Sequence, residues 1–284
     1  MLLAAACAGP TNEQFAAVAQ SGITFTTQIP SVYRYQIERE INEESALFEQ
    51  SRAGVVGSPS ALSAMRDSLE KQNAIFLKRR LVLAELSAQS KALRKYFVAL
   101  NALALGAEGD AAAKAAADAA QGVQGLVNRA KGLEVGGKEI QINGIDISQI
   151  ISGVSSLGID QLRNAKLREN LEKYGNNVLA LIAVQREALK EINKTNVETA
   201  QEDALATSVA EFGDASSALP ANWGENRIKS LLYEAPANPV SSALASAIAL
   251  EDAVRALARN DATSLDQLEN AVALTSAIFE VLDI

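Results

Sequence analysis

The 284-residue sequence contains no histidine, the side chain that proteins use most often for acid–base chemistry and for binding zinc. This absence excludes Ser-His-Asp and Cys-His catalysis, as well as the Glu-x-x-His motifs of di-metal helical bundles. The only cysteine is Cys7, so the chain cannot form an internal disulfide. Carboxylate or lysine chemistry stays formally open. We therefore predict a protein that is not an enzyme and that has no cofactor and no metal site.

Long apolar runs and excess positive charge are also absent. The longest charge-free stretch, residues 235–250, carries two prolines and several serines, which disfavours a membrane-spanning helix. The formal net charge is −8 and the pI is about 4.9. Nucleic-acid binding depends on a basic surface, so we expect no nucleic-acid partner.

Helix-forming residues are abundant, and apolar residues make up 48% of the chain, whereas aromatic residues make up only 5%. The clearest pattern predicts one helix over 60–104, a rod of roughly 65 Å at 1.5 Å per residue. Its apolar seam has coiled-coil-like spacing and occupies positions 62, 65, 69, 72, 76, 79, 83, 86, 90, 93, 97 and 100.

Further helices are predicted from about 160 to 218, after Pro239, and from 263 onwards. The predicted fold is therefore all-α: an elongated antiparallel helical bundle over 31–284, with two long coiled-coil-like helices and a small β-hairpin insert. Residues 62–104 carry eight basic and three acidic side chains, whereas 251–284 carry two basic and seven acidic ones. We expect the basic helix to pack near an acidic helix of this chain or of a partner.

The first 30 residues are predicted to form a separate segment. Leu3-Ala-Ala-Ala-Cys7 resembles the end of a bacterial lipoprotein signal peptide, in which the cysteine after small residues becomes acylated. This resemblance implies lipid attachment at Cys7 and a membrane surface as a partner. Only six residues precede Cys7 and none is basic, so a later-than-natural start or a chance match are the alternatives. Residues 22–30 alternate apolar and polar side chains up to Pro30, which predicts a strand or an extended tether.

Residues 132–148, between the two long helices, are predicted to form a β-hairpin. Asn143-Gly144 is a strong hairpin-turn signal, and it places four isoleucines on one face: Ile140, Ile142, Ile145 and Ile147. Gly136-Gly137 could add a third strand. The layout of long helices around an apolar tongue at 133–159 resembles α-helical pore-forming toxins of bacteria, and that resemblance implies membrane insertion. The alternative is a hairpin that caps the bundle.

Three further groups are interpreted as structural. Glu187 and Glu191 share a helix face, but without histidine they are not expected to bind a metal ion. Residues 78–80, Lys-Arg-Arg, are expected to form a charged helix face with Arg79 at the seam edge. Trp223 is expected to anchor a loop, 219–225, on the bundle.

The favoured function is a cell-envelope lipoprotein, held at the periplasmic face of a membrane, that offers a helical surface to a protein partner. The alternative is a secreted or membrane-active protein that uses the apolar tongue. An enzyme that uses carboxylates or lysine is the remaining hypothesis.

Overall fold

The computed structural model describes residues 10–55, 57–106, 134–135, 138–139, 165–213, 222–231, 238–259 and 265–282. These residues form six helices: α1 (Asn12–Gly54), α2 (Pro59–Ala104), α3 (Ala165–Gly213), α4 (Trp223–Leu231), α5 (Pro239–Ala258) and α6 (Leu265–Leu282). Two short strands, β1 (Glu134–Val135) and β2 (Lys138–Glu139), complete the described elements. The chain is predominantly helical, as predicted.

The extended tether predicted for residues 22–30 is wrong, because α1 begins at Asn12 and continues through Pro30. Phe25, Ile29 and Val32 are buried at helical spacing, and their burial outweighs the alternation that suggested a strand. The Thr26 hydroxyl donates a hydrogen bond to the Gly22 carbonyl oxygen at 2.6 Å, and this spacing of four residues is typical of a helix. The predicted boundary at residue 30 therefore falls inside a helix.

The first turn of α1 explains where the helix starts. The Thr11 hydroxyl accepts a hydrogen bond from the Gln14 backbone N–H at 3.3 Å, and the Thr11 backbone N–H donates to Gln14 Oε1 at 2.8 Å. This reciprocal capping box satisfies two backbone donors that a helix start leaves unpaired. This helix start was not predicted, because the first 30 residues were expected to lie outside the helical bundle.

Helices α1 and α2 run antiparallel, with Gly22 facing Phe97 and Glu40 paired with Arg79. Helix α3 packs on α2 and α5, while α5 and α6 pack on each other and on α1. Helix α2, the basic rod of the sequence analysis, lies along α1, whose stretch 38–49 carries five glutamates.

The hydrophobic core lies where these helices meet. It draws on residues 15–33 of α1, 82–104 of α2, 178–189 of α3 and most of α5. The largest fully buried side chains are Tyr33, Tyr96, Phe15, Phe25, Phe97, Ile29, Leu93, Leu100, Leu179 and Leu181. Among the described residues, the core contains five aromatic rings, all of them from α1 and α2: Phe15, Phe25, Tyr33, Tyr96 and Phe97.

One close approach fixes the spacing of α1 and α2. A Cβ atom at Gly22 would lie 2.5 to 2.6 Å from three carbon atoms of the Phe97 ring. Glycine therefore allows the α1 backbone to lie directly against a fully buried ring.

The described β-structure is smaller than predicted. β1 and β2 pair antiparallel, with Glu134 opposite Glu139 and Val135 opposite Lys138. In the sequence, β1 ends just before Gly136-Gly137 and β2 begins just after these two glycines, which were suggested as the site of an additional strand. The predicted turn at Asn143-Gly144 lies outside the described residues, so that part of the hairpin stays a prediction.

Trp223 is the first residue of helix α4 rather than part of a loop, which corrects the interpretation of residues 219–225. Its ring packs against Phe212 near the end of α3, with ring centroids 5.6 Å apart. The predicted anchoring role thus involves a helix–helix contact.

Candidate interaction surface

The residues predicted from the sequence as sites fall outside the part of the chain that the structure describes. Cys7 and the four isoleucines Ile140, Ile142, Ile145 and Ile147 all lie outside the described residues. Lipid attachment and the apolar tongue therefore stay predictions. Thr11, which caps α1, follows Cys7 by only four positions, so any anchor at Cys7 connects almost directly to a long helix.

Burial along the predicted seam of α2 changes sharply from one end of the helix to the other. Leu86, Leu93, Phe97 and Leu100 are buried, in line with the predicted packing face. Towards the start of the helix the same seam is open, because Leu62 is 38% exposed and Leu69 43% exposed. The start of α2 therefore packs on one side only.

The end of α1 is open in the same region. Ile41 and Leu47 are 41% and 63% exposed. We call residues 37–54 of α1 together with 59–81 of α2 the tip. The tip is a pair of antiparallel helices whose apolar positions are only partly covered by each other.

A groove of about 410 Å³ runs between the two helices of the tip. Its polar lining residues are Glu44 and Ser45 from α1 and Gln72, Asn73 and Arg80 from α2. Its apolar lining residues are Ile37, Ile41, Phe48, Leu69, Phe76 and Leu77. A groove lined by apolar side chains together with a few polar ones suits the binding of an amphipathic helix.

The two helices of the tip carry opposite charge. Segment 37–54 has five glutamates and two arginines, a net charge of −3, whereas segment 59–81 has five basic and two acidic residues, a net charge of +3. Arg79 pairs with Glu40 at 2.7 Å and lies 6.0 Å from the Phe76 ring centroid, as expected for a residue at the seam edge. Lys78 and Arg80 are exposed.

An ionic cluster around two buried carboxylates joins α3 to α5, and it was not predicted from the sequence. Arg186 contacts Glu187 at 2.7 Å and Glu251 at 2.6 Å, and Lys190 lies 3.3 Å from Glu187. Arg255 also pairs with Glu251. Both carboxylates are almost fully buried, and each is paired with two cationic side chains.

Burial raises the pKa of Glu251 above its usual value, and the neighbouring Arg186 and Arg255 offset only part of that increase. The carboxylate nevertheless accepts hydrogen bonds from both guanidinium groups. Because the acidic and basic side chains of the cluster pair with each other across α3 and α5, the cluster is suited to holding these two helices together. Glu187 belongs to this cluster, which supports its interpretation as a structural residue.

Amide side chains form a second buried polar group, between α1, α2 and α3. The Tyr33 hydroxyl donates to Gln185 Oε1 at 2.5 Å, and Gln185 Nε2 donates to the Leu86 carbonyl oxygen at 3.0 Å. One layer further along α1, Gln36 and Asn196 exchange hydrogen bonds of 2.9 and 3.0 Å. Gln185 is the polar exception in an apolar series at heptad spacing along α3, and this contact explains why; the series includes Val178, Leu181, Ala188 and Ile192.

Within the described part of the chain, no group of three or more potential metal-ligating side chains comes together. No helix in that part is long and apolar enough to cross a membrane.

Comparisons with known proteins add no identification. No family model matches the chain, and neither the curated proteins nor the solved structures contain a significant match.

Proposed function

We propose that this chain is a non-enzymatic cell-envelope lipoprotein that presents its helical tip to a partner protein. The observation that carries the proposal is the apolar groove between α1 and α2. Large apolar side chains such as Leu77 and Leu81, which are 60% and 66% exposed, gather on the tip. Covering them would gain about 25 cal/mol per Å² of apolar surface removed from water.

The arrangement of α1 suits an anchored rod. With 43 residues, α1 would measure about 65 Å from its capped start to the tip. An acyl chain on Cys7 would hold the start of this helix at the membrane surface. The rest of the proposed elongated antiparallel bundle, with its coiled-coil-like long helices, would stiffen the rod. The tip would then stand well away from the membrane on its periplasmic side.

The anchor is tested by intact mass on the protein expressed from its complete reading frame in a bacterial host. We expect a mature chain that begins at Cys7 and carries added acyl mass. The Cys7→Ser variant, which cannot be acylated, serves as the control and should leave the membrane fraction. An unprocessed wild-type chain in the aqueous fraction would contradict lipid anchoring.

The partner surface is tested by placing a photo-crosslinking amino acid at Leu77 or, as a matched control, at Val98. Both positions are on α2 and exposed, at 60% and 49%, but only Leu77 lines the groove. We expect a discrete crosslinked species in cells for position 77 and none for position 98. Equal labelling at both positions, or none at 77, would refute the groove as the interaction surface.

A further inference from the structure

We infer that the groove of the tip is covered by the same groove of a second copy of this chain, giving a four-helix interface. The inference deepens the proposed function and rests on it, because it names the partner for the same surface. Two helices that expose one apolar face supply half of a four-helix core. A second identical half supplies the rest, as in the two-fold dimers that are the commonest protein oligomers.

Charge selects how the two copies meet. Two identical helix pairs can stack groove to groove about a two-fold axis that runs either along the helices or across them. The first arrangement places α1 of each copy over α2 of the other, and the second places α1 over α1. Because the two segments carry net charges of −3 and +3, the first arrangement pairs opposite charges and the second pairs like charges.

The charged residues that line the groove agree with the first arrangement. Glu44 belongs to α1 and Arg80 belongs to α2. The first arrangement therefore brings Glu44 of one copy to the side of the groove that carries Arg80 in the other copy. Both arrangements place every helix antiparallel to the one that it covers, as in up-and-down four-helix bundles, so charge distinguishes them.

The same geometry has a consequence for the anchor. A two-fold axis along the helices keeps both copies pointing in one direction. Both Cys7 residues would then lie at one end of the dimer and could reach the same membrane. The across-helix arrangement would place them at opposite ends, which would not suit two lipid chains in one membrane.

The arrangement is tested with the full chain carrying Cys7→Ser, so that cysteines can be introduced singly. Glu40 pairs with Arg79 in antiparallel helices, so Ser45, five residues further along α1, lies near the level of Asn73 on α2. The Ser45→Cys protein and the Asn73→Cys protein carry tags of different length, so that the three possible disulfide-linked dimers differ in size. The two proteins are mixed and oxidised. We expect the mixed disulfide dimer to form well above either self-linked dimer. Preferential self-linking, or no dimer, would overturn the inference.

Sedimentation equilibrium provides a second readout on the Cys7→Ser chain. We expect the wild-type chain to be a dimer and Leu77→Asp to dissociate it. Burying one carboxylate costs at least about 1.4 kcal/mol, which is a factor of about ten, and the dimer would bury two, so Kd should rise by about 100-fold or more. Val98→Asp, the matched substitution outside the groove, should leave Kd unchanged, and circular dichroism should show equal helix content in all three proteins. A wild-type monomer, or a dimer insensitive to Leu77→Asp, would contradict self-association.

The two proposals fail in different ways. If the photo-crosslinker at position 77 captures a species other than a second copy and the purified chain is monomeric, only the self-association is refuted. If position 77 captures nothing in cells, the groove fails as a partner surface and the proposed function fails with it.

Discussion

Replacing Gly22 with alanine tests how closely α1 lies against α2. A Cβ atom there would stand 2.5 Å from the Phe97 ring, and Phe97 is fully buried, so its ring cannot swing into solvent. An ordinary carbon–carbon contact is about 3.5 to 4.0 Å. The two helices would have to separate by about 1 Å, or the ring would have to leave its preferred rotamer.

Two contributions of opposite sign determine how much Gly22→Ala changes the free energy of unfolding. Alanine is favoured over glycine inside a helix by about 1 kcal/mol, which stabilises the variant. Forcing extra volume into a packed core costs about 1 to 3 kcal/mol. We therefore expect Gly22→Ala to lower the free energy of unfolding by about 0 to 2 kcal/mol. Gly54→Ala, at the last residue of α1, has nothing within 4 Å of the new methyl group, so it has no steric cost and gains at most the favourable term.

Chemical denaturation followed by circular dichroism measures both variants. The steric contribution is the difference between them, expected at about 1 to 3 kcal/mol. In a double-mutant cycle, Phe97→Leu should destabilise the wild type more than it destabilises Gly22→Ala, because the smaller side chain relieves the clash. If Gly22→Ala and Gly54→Ala changed stability equally, the close approach of α1 to Phe97 would be refuted.

Four further substitutions are measured by the same denaturation assay. Leu93→Ala, at a fully buried position, should cost about 2 to 5 kcal/mol, whereas Val98→Ala, at a position 49% exposed and outside the groove, should change stability by less than about 0.5 kcal/mol; similar losses would contradict the one-sided packing of α2. Tyr33→Phe removes the donor to Gln185 and should cost about 1 to 2 kcal/mol, and an unchanged midpoint would argue against this buried hydrogen bond. Burial raises the pKa of Glu251, so the folded state holds that proton more tightly than the unfolded state does. The stability of wild type relative to Glu251→Gln should therefore fall as pH rises above about 4.5, and a rise would reverse the assigned direction.

The helices were predictable because their apolar residues recur every three or four positions over many turns. The bounds predicted for α2, 60–104, differ from Pro59–Ala104 by one residue. The segment 22–30 was misread because Ile23, Phe25 and Ile29 fit a strand, while Phe25, Ile29 and Val32 fit a helix. Pro30 was taken as the end of the extended segment. It lies inside α1, where buried residues before and after it in the chain, Ile29 and Val32, hold the helix in place.

The polar contacts of the core could not be predicted from local patterns. Gln185 lies 152 positions from Tyr33, and Arg186 lies 65 positions from Glu251. Each pair is defined only after the helices are placed side by side. The groove could not be predicted for the same reason, because nine of the twelve seam positions of α2 are apolar along its whole length, whereas their coverage depends on where the other helices pack.

The position of the single tryptophan affects how unfolding can be followed. Trp223 contacts Phe212 at the far end of α3, and α4 packs on α3. Its fluorescence therefore reports the local detachment of α4, whereas circular dichroism reports the long helices. If α4 leaves first, the two signals will give different midpoints, and a fluorescence thermogram alone would understate the stability of the core.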